Sequence, residues 1–423
     1  CEENWAGYFR RVTANDNPKR TAKEIFAFGR YGVAGNGREL WATVTPDTSD
    51  DLYGRWNTEV GLGADATTDY RNGVNTYGWV VEIDPFTPAS KPKKRTALGR
   101  MGHEGACLGP VVAGKPLVWY MGDDSRNEYV YKFVSNKPWD PADATGGLAA
   151  GDKYMDDGRL YVARFNADGN GTWVELAFGQ NGIDASYTAY AFADQADVLV
   201  HARIAADAVG ATKMDRPEWT SVNPRNGEIY LTLTNTNGSS RPIDKTDAAN
   251  PRFYNDPKGA AATAQAGDPH GHIVRFAAVD AAATTFKWDV YLFGARATAS
   301  ADINVSQLSA DNDFSSPDGL WFSEVTPGLL WLQTDDGAYT DVTNCMMLAA
   351  LPGQIGDGGA KTINNVGAAT SRAQDTFVGA APGAEKLRRF LVGPKQCEIT
   401  GIAESGDGRA LFVNIQHPGE GST

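Results

Sequence analysis

The sequence predicts an all-β chain arranged as a β-propeller, on three observations. Short runs rich in β-branched and aromatic residues recur along its length, each bounded by turn residues. Helical periodicity is sparse. At four places an acidic residue heads a short apolar segment, a turn follows, and a second strand-like run returns.

Taken in chain order, strands are expected at 77–86 (YGWVVEIDPF), 129–135 (YVYKFVS), 160–165 (LYVARF), 228–234 (EIYLTLT), 272–276 (HIVRF) and 287–293 (KWDVYLF). Hairpin turns fall at 166–173 (NADGNGTW), 223–228 (NPRNGE) and 405–409 (SGDGR). Their Asn-Gly and Asp-Gly pairs supply the positive φ that tight reversals need. Helix is expected over 185–209, which carries most of the Ala-rich piece HARIAADAVGATK, and more weakly over 256–266.

The four acidic heads are Glu104 in GHEGACLGPVVAGKPLVWYMGDD, Glu218 in RPEWTSVNPRNGEIYLTLTN, Asp318 in SPDGLWFSEVTPGLLWLQTDDG and Glu398 in CEITGIAESGDGRALFVNIQ. In the last three the return strand begins about eleven to thirteen positions later, which fits strand, turn and strand. The intervals between heads exceed a plain blade of roughly 40 to 50 residues, so some hold large loops or an extra blade. The innermost strands of a propeller run side by side along its channel, so residues at their heads meet at one mouth. One such carboxylate reads as a turn cap; four in register read as a metal site.

Composition excludes several functions. The net charge of -13 opposes broad binding to nucleic acid or anionic membrane. No apolar run is long enough to span a bilayer. The four cysteines, Cys1, Cys107, Cys345 and Cys397, show no CxxC spacing, which leaves out zinc ribbons and thioredoxin motifs. No GxSxG elbow, Walker A loop or GxGxxG opening is present. The HGH at 270–272 lacks a third ligand in range and reads as a loop entering a strand.

Carboxylates without imidazoles suit hard cations, with calcium the default, and a thiolate from Cys1 would make iron plausible as well. Arg216 lies two residues before Glu218, and strand alternation aims both at the same mouth. Its planar guanidinium suits a pair of phosphoryl oxygens. The bland alternative is an ion pair with Asp215 or Glu218. Pro217 fixes the backbone between the two.

The segments CEENWAGYF, GRMGHEGA, MGDDSRNEYVYKFVS, KMDRPEW with TLTNT, SSPDGLWF, and CEITGI with FVNIQHPGE closely resemble, in that order, the PhoX-type alkaline phosphatases of bacteria. The resemblance implies one six-bladed β-propeller domain over 1–423, with N-terminal blade material and a short C-terminal tail outside it. It implies a folded protein exported by the twin-arginine route to the periplasm or beyond, acting as a monomer on small phosphate esters. It further implies a cluster of Fe3+ and Ca2+ ions joined by an oxo group. Carried onto these positions, the family pattern makes Cys1 a thiolate ligand to iron, Glu104 and Glu218 metal ligands, and Arg216 a phosphate contact. Glu398, Asp311 or Asp318, and Glu2 are further ligand candidates. Arg216 and Glu218 are then the catalytic pair, and a metal-held oxo or hydroxide is the expected nucleophile on phosphorus.

Two rivals come from other classes. A calcium-dependent lactonase of the gluconolactonase type would share acidic strand heads but would need neither Arg216 nor Cys1. A non-enzymatic binding propeller would need no clustered carboxylates.

Overall fold

Strands dominate the computed structural model, which describes residues 1–47, 50–61, 63, 65–259, 263–335 and 337–420. Three antiparallel fans follow one another, and a hairpin closes the described chain. The first fan runs from Cys107–Leu108 through Pro116–Gly122, Val130–Pro138 and Gly158–Phe165 to Asn170–Glu175. The second holds Pro217–Val222, Ile229–Leu233, His272–Ala277 and Thr285–Phe293. The third holds Pro317–Phe322, Leu330–Thr334, Met346–Ala350 and Leu387–Val392, and the hairpin is Glu398–Glu404 with Leu411–Gln416. Three residue pairs join the outer strands of the first two fans, Thr285 to Thr172 being the first, so the two form one nine-stranded sheet. The architecture is all-β and propeller-like, with helical and loop insertions.

Period-two alternation explains how the fans stack. On the Ile229–Leu233 strand, Ile229, Leu231 and Leu233 pack toward Val118, Tyr120 and Val130 of the first fan. Tyr230 faces the other way, onto Leu320, Phe322 and Leu332 of the third. The Met346–Ala350 strand does the same: Met346 and Leu348 join the layer shared with the second fan, while Met347 packs with Cys397 and Ile399 of the hairpin. Two apolar layers therefore lie between neighbouring fans and one between the third fan and the hairpin, while a further cluster packs the first fan against Leu98 and the helices at Gln195–Val200 and Ala202–Ala208. The innermost strands sit next to one another in the order of the fans.

The sequence expectations hold for most strands. Within 77–86 only Val80–Glu82 is a strand. The helix over 185–209 is shorter and broken: Gln195–Val200, capped by the Asp194 side chain on Asp197 N–H, is followed by Ala202–Ala208, with His201 out of helical geometry between them. The helix at 256–266 is a correction. Its described residues belong to a hairpin, Tyr254–Gly259 with Thr263–Asp268, which also pairs with Thr236–Asn237. Cross-strand pairing there overrides the helix propensity of the alanines. His270 and His272 are buried and bonded to Asp256 and Asp268, as a loop and strand entry would have them. Among the described residues no helix is long and apolar enough to cross a membrane.

Candidate active site

The heads of the innermost strands share one local construction. Arg216 stands before Pro217 and Glu218, Ser316 before Pro317 and Asp318, and Gln396 before Cys397 and Glu398. All three leading residues have left-handed backbone, at φ 58°, 51° and 58°. In the second fan Thr234 N–H donates to Arg216 O at 3.2 Å; in the third Asp335 N–H donates to Ser316 O at 3.1 Å. The pairing register then slips just after each head, between Pro217 and Thr220, Pro317 and Leu320, and Ile399 and Ile402. Bulges of this kind re-aim side chains, and here they turn Glu218 and Asp318 into the mouth. Glu104 enters differently, with its N–H donating to Gly122 O at 3.3 Å.

These heads line a cavity of about 590 Å³ together with Glu3, Asp124, Arg216 and Asp335. Three overlapping groups can each offer one oxygen per residue within 4.8 Å of the others: Glu3, Glu104 and Asp124; Glu104, Glu218 and Asp318; Asp318, Asp335 and Glu398. Among the described residues, seven carboxylates thus face one guanidinium.

Electrostatics shows the strain of that crowding. Burial first, then Asp124 and Glu104, push Glu3 up to about 8. Burial and Asp124 raise Glu104 to about 7, and burial with Asp335 raises Glu398 to about 7. Glu218 and Asp318 rise well above the carboxylate range through burial and neighbouring carboxylates, Asp318 being the largest such influence on Glu218. Asp335 is raised by burial as well. For Arg216 burial opposes the charge, but Glu218 and Asp124 outweigh it and keep the guanidinium protonated.

The contacts fix these groups in place. Arg216 grips Asp124 with two hydrogen bonds of 2.9 and 2.8 Å and lies 2.8 Å from Glu218 Oε1. That last contact is close enough for an ion pair yet lacks hydrogen-bond alignment, so the buried Oε1 keeps an unused acceptor. A charge contact of this kind leaves a lone pair of Oε1 available to a cation. Trp219 Nε1 donates to Glu104 Oε1 at 3.1 Å. The neighbouring Asp123, fully buried, takes Arg203 Nε at 2.8 Å and Gly102 N–H at 2.9 Å, anchoring the chain from which Asp124 projects. Gly122 must be glycine: a Cβ there would stand 2.2 Å from Glu218 O. An all-oxygen donor set with mutually raised pKa values and an unused buried acceptor fits hard cations.

Of the residues singled out from sequence, Glu104, Glu218, Asp318, Glu398 and Arg216 meet in this cavity. Arg216 reaches it from a left-handed residue ahead of the strand rather than by alternation within it, and Asp215 turns away to Arg241 at 2.6 Å. Glu2 lies outside: its carboxylate accepts Trp79 N–H at 3.0 Å and pairs with Lys94 at 2.7 Å, while adjacent Glu3 faces the mouth. Asp311 is on an exposed turn, whereas the strand register carries Asp318 inward. Cys1 is exposed, two positions from Glu3 and outside the three oxygen groups.

Sequence reasoning missed Glu3, Asp124 and Asp335. The last two had a signal: MGDD and LQTDDG end the second strands of the first and third fans, and the register puts Asp124 and Asp335 where the second fan has Thr234.

The family model described as alkaline phosphatase PhoX matches residues 1–419. Among solved structures the chain is similar to a Pseudomonas fluorescens PhoX in complex with vanadate, a transition state analogue. The identity is 37% and the TM-score 0.73, over 100% of this chain and 63% of that one, so the chain spans less than two thirds of that relative. No curated protein matches the chain.

Proposed function

The chain belongs to the alkaline phosphatase PhoX family, and from that premise we propose that it is a metal-dependent phosphoric monoester hydrolase releasing inorganic phosphate from small phosphate esters. The observation that carries the reading is the convergence of three carboxylate groups on one mouth around a single arginine. A phosphate dianion is repelled by seven carboxylates, so the site can work only with cations in it.

Glu104, Glu218, Asp318 and Glu398, joined by Glu3, Asp124 and Asp335, would hold them; Fe3+ and Ca2+ are the ions we propose, with the Cys1 thiolate as an iron ligand. Bound, such cations supply neutralising charge and Lewis acidity at the phosphoryl oxygens. Arg216 binds phosphate. Its fork grips the two Asp124 oxygens, and the same spacing suits two phosphoryl oxygens once cations share Asp124 and Glu218. Asp124 and Glu218 hold the guanidinium charged at alkaline pH, where it spreads charge developing on the transferring group. Trp219 orients Glu104, and the Asp123–Arg203 pair keeps Asp124 from drifting under repulsion. We propose further that the domain is one six-bladed propeller, monomeric, and exported folded to the periplasm or beyond.

The test is turnover of p-nitrophenyl phosphate by the full-length protein, beside a simple lactone. Hydrolysis of the phosphate ester supports the reading. Hydrolysis of the lactone alone would overturn it in favour of a calcium-dependent lactonase, which has no use for Arg216.

A further inference from the structure

Seven arginines are buried among the described residues: Arg11, Arg95, Arg100, Arg203, Arg241, Arg252 and Arg275. Six have a carboxylate partner, for example Arg252 with Asp268 at 2.6 Å and Arg275 with Asp289 at 2.7 Å. Arg100 is the exception. It is 2% exposed, its Nε donates to Val200 O at 2.8 Å, and its Nη1 has no hydrogen-bond partner. Its guanidinium carbon lies 4.1 Å from the Tyr31 ring centre and 4.8 Å from that of Trp5. Two aromatic faces soften the loss of hydration but satisfy no N–H, and a buried charge without a counter-charge is costly. Burial holds its pKa down to about 10, so it stays cationic at neutral pH.

Arg100 lines a cavity of about 160 Å³ whose walls also carry Lys23, Asn72, Asn75 and Tyr190. The cavity shares no lining residue with the carboxylate mouth. The other cations around it are already matched: Arg11 pairs with Asp16 at 2.6 Å, Arg20 with Glu24, which also lines the wall, at 3.1 Å, and Lys23 with Asp197 at 2.5 Å. The His201 ring is fixed by Asp197 at 2.9 Å and is kept neutral, chiefly by burial. One positive charge is therefore in excess, beside a volume that admits a group of a few heavy atoms.

We propose that this cavity binds a small tetrahedral oxyanion of the size of inorganic phosphate, with Arg100 as the principal donor and Lys23 and the two asparagines around it. A guanidinium without a carboxylate partner matches the oxygens of such an anion better than it matches a halide.

Selenate serves as the probe, because its anomalous scattering marks its position. Crystals of the full-length protein are equilibrated at several selenate concentrations. The expected result is a peak within hydrogen-bond distance of the Arg100 guanidinium, half-occupied at about 1 mM or below. Tenfold excess phosphate should remove it, tenfold excess acetate or chloride should leave it, and Arg100→Met should abolish it. An empty cavity at about 10 mM selenate overturns the proposal, as does a peak that persists in Arg100→Met or yields equally to acetate or chloride. Should Arg100→Met fail to fold, the competition in the unmodified protein decides. Loss of phosphatase activity elsewhere does not bear on the outcome, because the readout is position.

Discussion

Stripping cations from the mouth should make the fold alkali-sensitive, and the size of the effect follows from the carboxylates. Glu104 and Glu398 each move from 4.5 to about 7 when the pocket is built. A folded pKa above the unfolded one means that folding holds protons the unfolded chain has already released. Stability is then full below about pH 4.5 and falls as pH rises through 7. At about 1.4 kcal/mol per tenfold, each group changes stability by about 3 kcal/mol, and the two together by about 5 kcal/mol between pH 5 and 8. Domains are stable by roughly 5 to 15 kcal/mol, so the chelated chain should be near unfolding at alkaline pH. The assay is urea unfolding at pH 5, 7 and 9, after chelation and after calcium is restored. Other groups titrate in this range: the buried Lys132 ammonium falls to about 7, and its neutral form stabilises the fold as pH rises, in the opposite sense. It is the same in both arms, so the difference between them isolates the pocket. A chelated chain equally stable at pH 5 and 9, with calcium making no difference, would refute the reasoning.

Three further outcomes are expected. Arg216→Lys keeps the charge but loses the fork on Asp124, and should lower kcat/KM for a phosphate ester by about 100-fold or more, roughly 3 kcal/mol of transition-state stabilisation; a change within twofold removes Arg216 from phosphate binding. Asp124→Asn and Asp335→Asn should each reduce bound metal per chain in elemental analysis, while Asp311→Asn, on its exposed turn, should leave metal content and turnover unchanged; the reverse pattern would contradict the register argument. Gly122→Ala sets a methyl against the backbone oxygens of Pro217 and Glu218, and thermal unfolding should reveal about 1 to 3 kcal/mol of destabilisation, with metal content falling in step.

The carboxylates legible in the sequence were those that open an innermost strand, because a repeat exposes whatever it repeats. Glu218, Asp318 and Glu398 follow left-handed residues and adjoin bulges that no composition reveals, yet the short strands after them were enough to place them together. Asp124 and Asp335 carry a weaker signal for a physical reason: an acid at the tail of a strand, beside a second acid, looks like an ordinary turn. Only cross-strand register shows that the two occupy one position in two fans. Glu2 and Glu3 are neighbours in an irregular segment that has no period to say which faces the mouth. Arg216 was found by a rule that does not hold it there; backbone strain ahead of Pro217, not alternation, delivers its side chain. The hairpin at Tyr254–Gly259 and Thr263–Asp268 was hidden by alanines whose local preference loses to three-stranded pairing.

The most direct test of the central claim is elemental analysis of the purified full-length protein, with p-nitrophenyl phosphate turnover measured before and after calcium chelation. The account predicts iron and calcium in the protein and turnover lost on chelation and regained with calcium. A metal-free protein that hydrolyses the ester, or one whose turnover is indifferent to chelation, would contradict it.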